Sequence, residues 1–370
     1  MSDVELPEPD RIEGALHPRE TPELFGQSRA EADFLTAFNT GRLHHGWMLT
    51  GPRGVGKATL AWRIARFLLA TPLVDKHDMF GAPPPPETLD ISPDHPVAHR
   101  VLALSEPGLF LLRRGPTDKG DKLAAEIRVN EVRKLGHFFS LSAADGGRRV
   151  VIVDSADELN IQAANAILKM LEEPPANTTI LLISHQPARL LPTIRSRCRV
   201  LRLGPLSPDD MTIALAQADA HVAPADAPAL TELSQGSVGE ALRLINLGGL
   251  QLYSDILAVL GSLPNFDRAR MLSLSDSCAG KGKEARLDLL LTLVDQLTAR
   301  LARTGVTGHP PLHEAAPQEA GILARLSPDP QTGRHWATLA GQASDRARHA
   351  RAVNVDPAAL VTDLFLQLKT

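Results

Sequence analysis

A short apolar run that ends in a glycine-rich turn and reopens as a helical pattern constrains this chain more than any other feature. Trp47-Met48-Leu49-Thr50 leads into Gly51-Pro52-Arg53-Gly54-Val55-Gly56-Lys57-Ala58, and Leu60 to Ala70 then carries helical spacing. The turn matches the G-x-x-x-x-G-K pattern of phosphate-binding loops and lacks only the closing hydroxyl. Gly51, Gly54 and Gly56 let the backbone curl so that N–H groups point inward at phosphate oxygens. Lys57 sets a cation near the β- and γ-phosphates, and the following helix adds the positive end of its dipole. The plain alternative is a strand-to-helix turn that holds no ligand. At position 58 an alanine replaces the Ser or Thr whose hydroxyl coordinates Mg²⁺. Thr59 is one residue on, about 100° around the helix, and is expected to point elsewhere. The loop therefore suits ATP or ADP with Mg²⁺ held weakly or not at all.

The surrounding pattern places this loop in an α/β layer structure. Leu109 to Leu112, Val150 to Val153, Thr178 to Ile183 and Val200 to Leu203 are further apolar runs. Val129 to Phe139 has helical spacing, and a helix from about Ile161 to Glu172 stops at Pro174-Pro175. Apolar strands alternating with helices predict a parallel sheet of about five strands covered on both faces. Residues 71–107, with the run Pro83 to Pro86, read as an extended insertion with little regular structure. Beyond Leu203 no strand is predicted. Ser207-Pro208-Asp209-Asp210 and Ser237-Val238-Gly239-Glu240 are helix starts, and Gly248-Gly249 closes the second helix. The expected organisation is a flexible segment over 1–20, the α/β domain over 21–204, a helical lid over 205–248 and a larger all-helical domain over 249–370.

A second acidic position follows. Val150-Val151-Ile152-Val153 ends in Asp154, the pattern of the second NTPase motif. Asp157 and Glu158 lie past the strand and are expected to face away. Composition removes several other classes. A net charge of −4 announces no strongly basic nucleic-acid surface, and three Trp, one Tyr and ten Phe make a base-stacking platform unexpected. Two distant cysteines, Cys198 and Cys278, give neither a disulfide framework nor a Cys-only zinc site. His44-His45 lacks partners at metal-ligand spacing. No apolar run reaches the roughly 20 residues that span a bilayer, and the first residues show no signal-peptide pattern, so a cytoplasmic protein is expected. Arg148-Arg149 and the arginines from Arg195 to Arg202 read chiefly as solvated or interface charges, with sequence-independent contact to DNA backbone as the alternative.

Several segments together resemble bacterial clamp-loader subunits of the AAA+ family. They are Leu24-Phe25-Gly26-Gln27, Asp154-Ser155-Ala156-Asp157, Asn165 to Pro175 with its Leu-Lys-x-Leu-Glu-Glu-Pro-Pro stretch, and Ser196-Arg197-Cys198. The likeness covers residues 20–250 well and the C-terminal helices by type. It implies an AAA+ nucleotide-binding domain, a lid and a helical collar for oligomerisation. It implies that Arg197 reaches the ATP of a neighbouring subunit, and that Ser184, with His185, holds the position that senses the γ-phosphate. Active members carry Glu where Ser155 stands and an arginine where Gly239 stands, and many carry a zinc module where residues 71–107 hold no cysteine. Losing a general base typically costs about 10² to 10⁴ in rate, so little or no hydrolysis is expected at this site, and no zinc. An intact Ser-Arg-Cys beside a degenerate loop is similar to the delta-prime type within DNA polymerase III. The implied partners are gamma/tau motor subunits and the delta subunit, with the sliding clamp reached indirectly and primer-template DNA through its backbone. Two other readings stand beside it: an active gamma/tau-like motor ATPase, and an unrelated AAA+ adaptor.

Overall fold

The computed structural model describes residues 8, 11–12, 14–71, 73, 84–117, 122–141 and 147–369. The chain divides into two compact units, Met1–Ala214 and Leu215–Thr370.

The first unit is an α/β layer structure. Its elements are α1 (Ser28–Asn39), β1 (Gly46–Thr50), α2 (Lys57–Ala70), α3 (Pro96–Leu102), β2 (Leu109–Arg113), α4 (Val129–Leu141), β3 (Arg149–Asp154), α5 (Ile161–Glu172), β4 (Thr178–Ser184), α6 (Pro192–Arg195) and β5 (Arg199–Arg202). The five strands form one parallel sheet in the order β2-β3-β4-β1-β5. Every strand expected from the apolar runs is present. The central strands β1 and β4 are buried along their whole length, as a sheet covered on both faces requires. The edge strand β5 buries only Leu201.

Successive side chains of β1 serve opposite faces. Met48 joins Val151, Val153, Ile180 and Leu182 against Ile167 and Leu171 of α5 and Val132 and Leu135 of α4. Trp47 packs against Phe34 of α1 with the rings tilted at 57° and 5.0 Å between centroids. Helix α2 is buried nearly all round, Trp62 and Arg63 included. A cation there needs partners. Arg63 pairs with Glu31 at 2.8 Å and Asp90 at 2.7 Å, and donates to the Pro22 carbonyl at 2.9 Å.

Two expectations change here. The insertion is not wholly irregular, because α3 forms in it. His95 caps that helix by accepting from the Val97 N–H, Pro96 takes the first helical position, and Val97 and Val101 are buried. Residues 72 and 74–83 lie outside the described residues. The segment before residue 21 is anchored where it is described. His17 is buried edge-on against Trp62 at 6.0 Å, and Glu8 pairs with Arg19 at 2.6 Å and Arg113 at 3.2 Å. Although burial opposes it, Arg19, His17 and Arg113 hold the Glu8 carboxyl below its ordinary value.

Helix α7 (Pro208–Gln217) starts where Ser207 Oγ accepts the Asp210 N–H at 3.2 Å. The boundary between the units falls inside this helix, so the expected lid of 205–248 is not a unit of its own. The second unit holds α8 (Ala227–Ser234), α9 (Val238–Asn246), α10 (Gly249–Gly261), α11 (Arg268–Ser277), α12 (Glu284–Thr307), α13 (Glu319–Leu326), α14 (Pro330–Ala352) and α15 (Pro357–Gln367). Helices α12 and α14 meet through glycines. A Cβ on Gly305 would lie 2.7 Å from Gly333 Cα, and one on Gly333 would lie 2.7 Å from the Ala302 carbonyl. Among the described residues no single helix is long and apolar enough to cross a membrane.

Candidate functional site

The strand order brings the candidate residues to one edge of the sheet. Thr50 at the end of β1 pairs in register with Ser184 at the end of β4, and Arg113 of β2 with Asp154 of β3. The phosphate loop leaves β1 directly from that edge. Its three glycines take positive φ, +147° at Gly51, +77° at Gly54 and +98° at Gly56. Two are also pressed from outside. A Cβ on Gly51 would run into the Leu203 carbonyl, and one on Gly56 would meet Leu24 Cδ1 at 2.5 Å. The Leu24 to Gln27 segment thus braces the loop. Buried Gln27 donates through Nε2 to the Val55 carbonyl at 3.2 Å and to the Gly204 carbonyl at 2.8 Å, and its Oε1 accepts the Gly204 N–H at 3.2 Å.

Lys57 is buried at the head of α2. Its ammonium turns into the loop, donating to the Gly51 carbonyl at 2.8 Å and to that of Pro52. Burial pushes its pKa down to about 8, against the attraction of Asp154 and Asp157 and with the help of Arg53. The arrangement keeps a cation and two carboxylates together where a polyphosphate would sit. Ala58 offers a methyl group, and Thr59 is buried in the body of α2.

Asp157 does not face away. Its carboxylate accepts the Ser184 hydroxyl at 2.7 Å, the Gln186 N–H at 3.2 Å and the His185 N–H. Those three donors sit at the end of β4, so Asp157 ties the segment after β3 to the segment after β4. The Ser184 side chain is thereby committed within the chain. Glu158 instead pairs with Arg114 at 2.9 Å, with its pKa raised by burial against that pull. His185 is pressed down to about 4 by burial and by the charges of Lys57 and Arg53, so its ring is neutral at pH 7. Ser155 is buried next to Asp154. Among the described residues no group of three His, Cys, Asp or Glu side chains is set to hold a metal ion.

Arg197 is not brought to this edge. It lies in the turn between α6 and β5, and β5 pairs with β1 from Trp47↔Arg199 onward. That puts Arg197 at the N-terminal edge of the sheet, across the length of β1 from Gly51. Its Nη2 pairs with Glu172 Oε1 at 2.9 Å and its Nη1 donates to the Thr193 carbonyl at 3.0 Å. Gly46 allows the turn to pack closely, since a Cβ there would lie 2.9 Å from Leu171 Cδ2 and 3.1 Å from the Arg197 carbonyl. Three other arginines of the basic stretches are engaged. Arg199 lies over the Trp47 ring at 5.2 Å, Arg148 over Phe38 at 5.2 Å, and Arg149 donates to the Phe139 carbonyl at 3.1 Å.

In the second unit, Ser237 caps α9 by accepting the Glu240 N–H at 3.1 Å, and Gly239 stands in its first turn. Three residues that hold the candidate site together are not apparent from the sequence. Gln27 and Glu172 lie in motifs that assign them no role, and Asp157 sits past a strand in a position that suggests the opposite orientation. For Asp157 the spacing past the strand is the signal, because a short helical turn, Ala156–Glu158, swings it back.

Comparison with known proteins gives a consistent family. Residues 26–207 match the family described as DNA polymerase III, delta subunit. The chain is similar to DNA polymerase III subunit delta' of Pseudomonas aeruginosa, 39% identical over 154 residues that span 42% of this chain and 41% of the relative. It is also similar to the subunit delta' of Escherichia coli K12, 27% identical over 346 residues, 90% of this chain and 92% of the relative. Against the first of these the chain spans about two fifths of the relative's length. A DNA polymerase III gamma subunit-related protein of Thermotoga maritima, 15% identical, aligns over 91% of this chain and 99% of its own with a TM-score of 0.37.

Proposed function

We propose that this chain, which matches the DNA polymerase III delta subunit family over residues 26–207 and is similar to subunits named delta', is a delta-prime-type, largely non-hydrolysing subunit of a clamp loader. In this reading it closes a ring of gamma/tau motor subunits, supplies Arg197 to the ATP held by one of them, and works with the delta subunit while the sliding clamp is opened and loaded. Contact with primer-template DNA runs through the phosphate backbone.

The observation that carries this reading is the position of Arg197 relative to its own phosphate loop. The two stand at opposite edges of one parallel sheet, separated by the five residues of β1, roughly 16 Å at about 3.3 Å per residue. Arg197 therefore serves a phosphate only if another chain presents it. A planar guanidinium with forked donors suits that task, and a finger supplied in trans is worth about 10³ to 10⁵ in rate where NTPases have been measured. The chain's own loop supports the same division of labour. ATP or ADP would lie against Gly51, Gly54, Gly56 and Lys57, but Ala58 has no hydroxyl to hold Mg²⁺ and Ser155 has no carboxylate to act as general base on water. Those two residues, with Gly239, also count against an active motor of the gamma/tau kind.

The test is DNA- and clamp-stimulated ATP turnover of the reconstituted loader with this chain intact and with Arg197→Ala. A fall of about ten-fold or more with assembly intact is expected, well within what a trans finger supplies. Unchanged turnover overturns the reading.

A further inference from the structure

Arg197 is held by two anchors on different elements. Thr193, whose carbonyl accepts from Nη1 at 3.0 Å, belongs to α6, and Glu172, whose carboxylate takes Nη2 at 2.9 Å, is the last residue of α5. The anchors are themselves fixed. A ring nitrogen of His45, Nε2, lies 2.9 Å from the Leu171 carbonyl at the end of α5, and Gly46 lets Leu171, the Arg197 carbonyl and Cys198 Sγ close in around the start of β1. The C-terminal end of α5 carries partial negative charge, which adds to that of Glu172 in drawing the guanidinium to this spot.

We infer that Glu172 is a positioning residue for Arg197: it presets the guanidinium at the N-terminal edge of the sheet for a phosphate presented by the neighbouring chain. The inference rests on the proposed trans role of Arg197. Glu172 has two opposed effects. It neutralises the cation that a phosphate would seek, and it removes rotamer freedom that would otherwise be lost on meeting the phosphate. The pair is part-exposed, with the two side chains 38% and 41% accessible, and Glu172 and the Thr193 carbonyl engage only part of the five guanidinium N–H donors, so the others can meet a phosphate while both anchors hold. Arginine has among the largest side-chain entropies, so a guanidinium held beforehand loses less of it on meeting the phosphate.

The test measures ATP turnover against ATP concentration in the reconstituted loader with Glu172→Ala, Glu172→Gln, Arg197→Ala and the double variant Glu172→Ala/Arg197→Ala. Glu172→Ala should lower kcat about five- to ten-fold with KM little changed, inside the roughly 10²-fold that a misplaced catalytic group can cost. Glu172→Gln, which keeps an acceptor at the same reach, should retain most of the activity. The double variant should be no slower than Arg197→Ala alone, since residues that act through one another are not additive. Normal or raised turnover in Glu172→Ala beside a slow Arg197→Ala overturns the inference and leaves the finger in place. Losses that multiply in the double variant do the same. Normal turnover in Arg197→Ala removes the reading on which the inference stands.

Discussion

Ser184 gives its hydroxyl hydrogen to Asp157 at 2.7 Å, across the gap between the ends of β4 and β3. The same carboxylate takes the N–H groups of His185 and Gln186. Three donors at a strand end converge on an anion supplied by the chain itself, at the edge from which the phosphate loop leaves. Hydrogen bonds to a charged group are each worth about 1.5–3 kcal/mol net, less where water reaches them. Asp157→Ala should therefore destabilise the chain by about 2–3 kcal/mol, read from the urea midpoint, whereas Asp157→Asn should lose about half of that. A midpoint unchanged by Asp157→Ala would show that the clamp carries no stability.

Lys57 gives a pH signature. Its pKa is about 8 in the fold because burial disfavours the ammonium, while an unfolded chain keeps it near 10.4. Between those values the unfolded state binds more protons, so stability rises with pH. The cost of charging Lys57 is present in full below about pH 8 and fades as pH climbs toward about 10.4. Other groups titrate in that window, so the comparison is with Lys57→Met. Wild type should gain stability relative to the variant by about 1–2 kcal/mol from pH 8 to 10, since a ten-fold change in proton affinity corresponds to about 1.4 kcal/mol. Parallel pH profiles for the two proteins would show that the Lys57 ammonium is solvated in the fold.

The strands were legible because burial on both faces leaves continuous apolar runs such as Val150-Val151-Ile152-Val153, and α4 and α5 because their apolar residues keep helical spacing. The turn of the loop was legible because positive φ restricts residue type at Gly51, Gly54 and Gly56. Helix α3 was hidden by its prolines, although Pro96 in fact starts it. The orientation of Asp157 was hidden for a different reason. It depends on a single helical turn and on donors 27 to 29 residues away in β4 and beyond, and neither is visible in a local pattern. The anchoring of the segment before residue 21 depends likewise on distant cations, Arg66 donating to the Arg19 carbonyl at 2.7 Å and Arg113 pairing with Glu8.

Gly46 should resist any side chain. Its φ is unremarkable, so the constraint is space. A methyl group would sit 2.9 Å from Leu171 Cδ2, 3.1 Å from the Arg197 carbonyl and 3.4 Å from Cys198 Sγ. Leu171 can shift, but the carbonyl belongs to the turn that carries Arg197. Overpacking of this kind costs about 1–3 kcal/mol. Gly46→Ala should lower the thermal midpoint and also slow ATP turnover of the reconstituted loader at temperatures where the variant remains folded. A stability loss with full turnover would show that the turn tolerates displacement.

The second unit rests on a buried ionic cluster that joins four of its helices. Glu319 of α13 accepts from Tyr253 of α10 at 2.5 Å, from Arg300 of α12 at 2.7 and 3.0 Å, and from the Ala315 N–H at 2.5 Å. Arg300 also reaches Glu232 of α8 at 3.1 Å and the His313 carbonyl at 2.8 Å. Burial, and after it Glu319, pushes the Tyr253 hydroxyl well above its ordinary pKa, so it stays a donor at any working pH. Removing one member of such a cluster strands a buried charge, which costs about 3–5 kcal/mol. Removing a neutral donor costs about 1–2 kcal/mol, because Glu319 keeps its other partners. Arg300→Ala should therefore unfold the unit at much lower urea than Tyr253→Phe, and the double variant Arg300→Met/Glu319→Leu should recover part of the loss, since it leaves no lone charge at the centre of the cluster although the Tyr253 hydroxyl and the Ala315 N–H lose their acceptor. Equal losses for Arg300→Ala and the double variant would mean that the cluster contributes through its geometry and not through the avoidance of a lone buried charge.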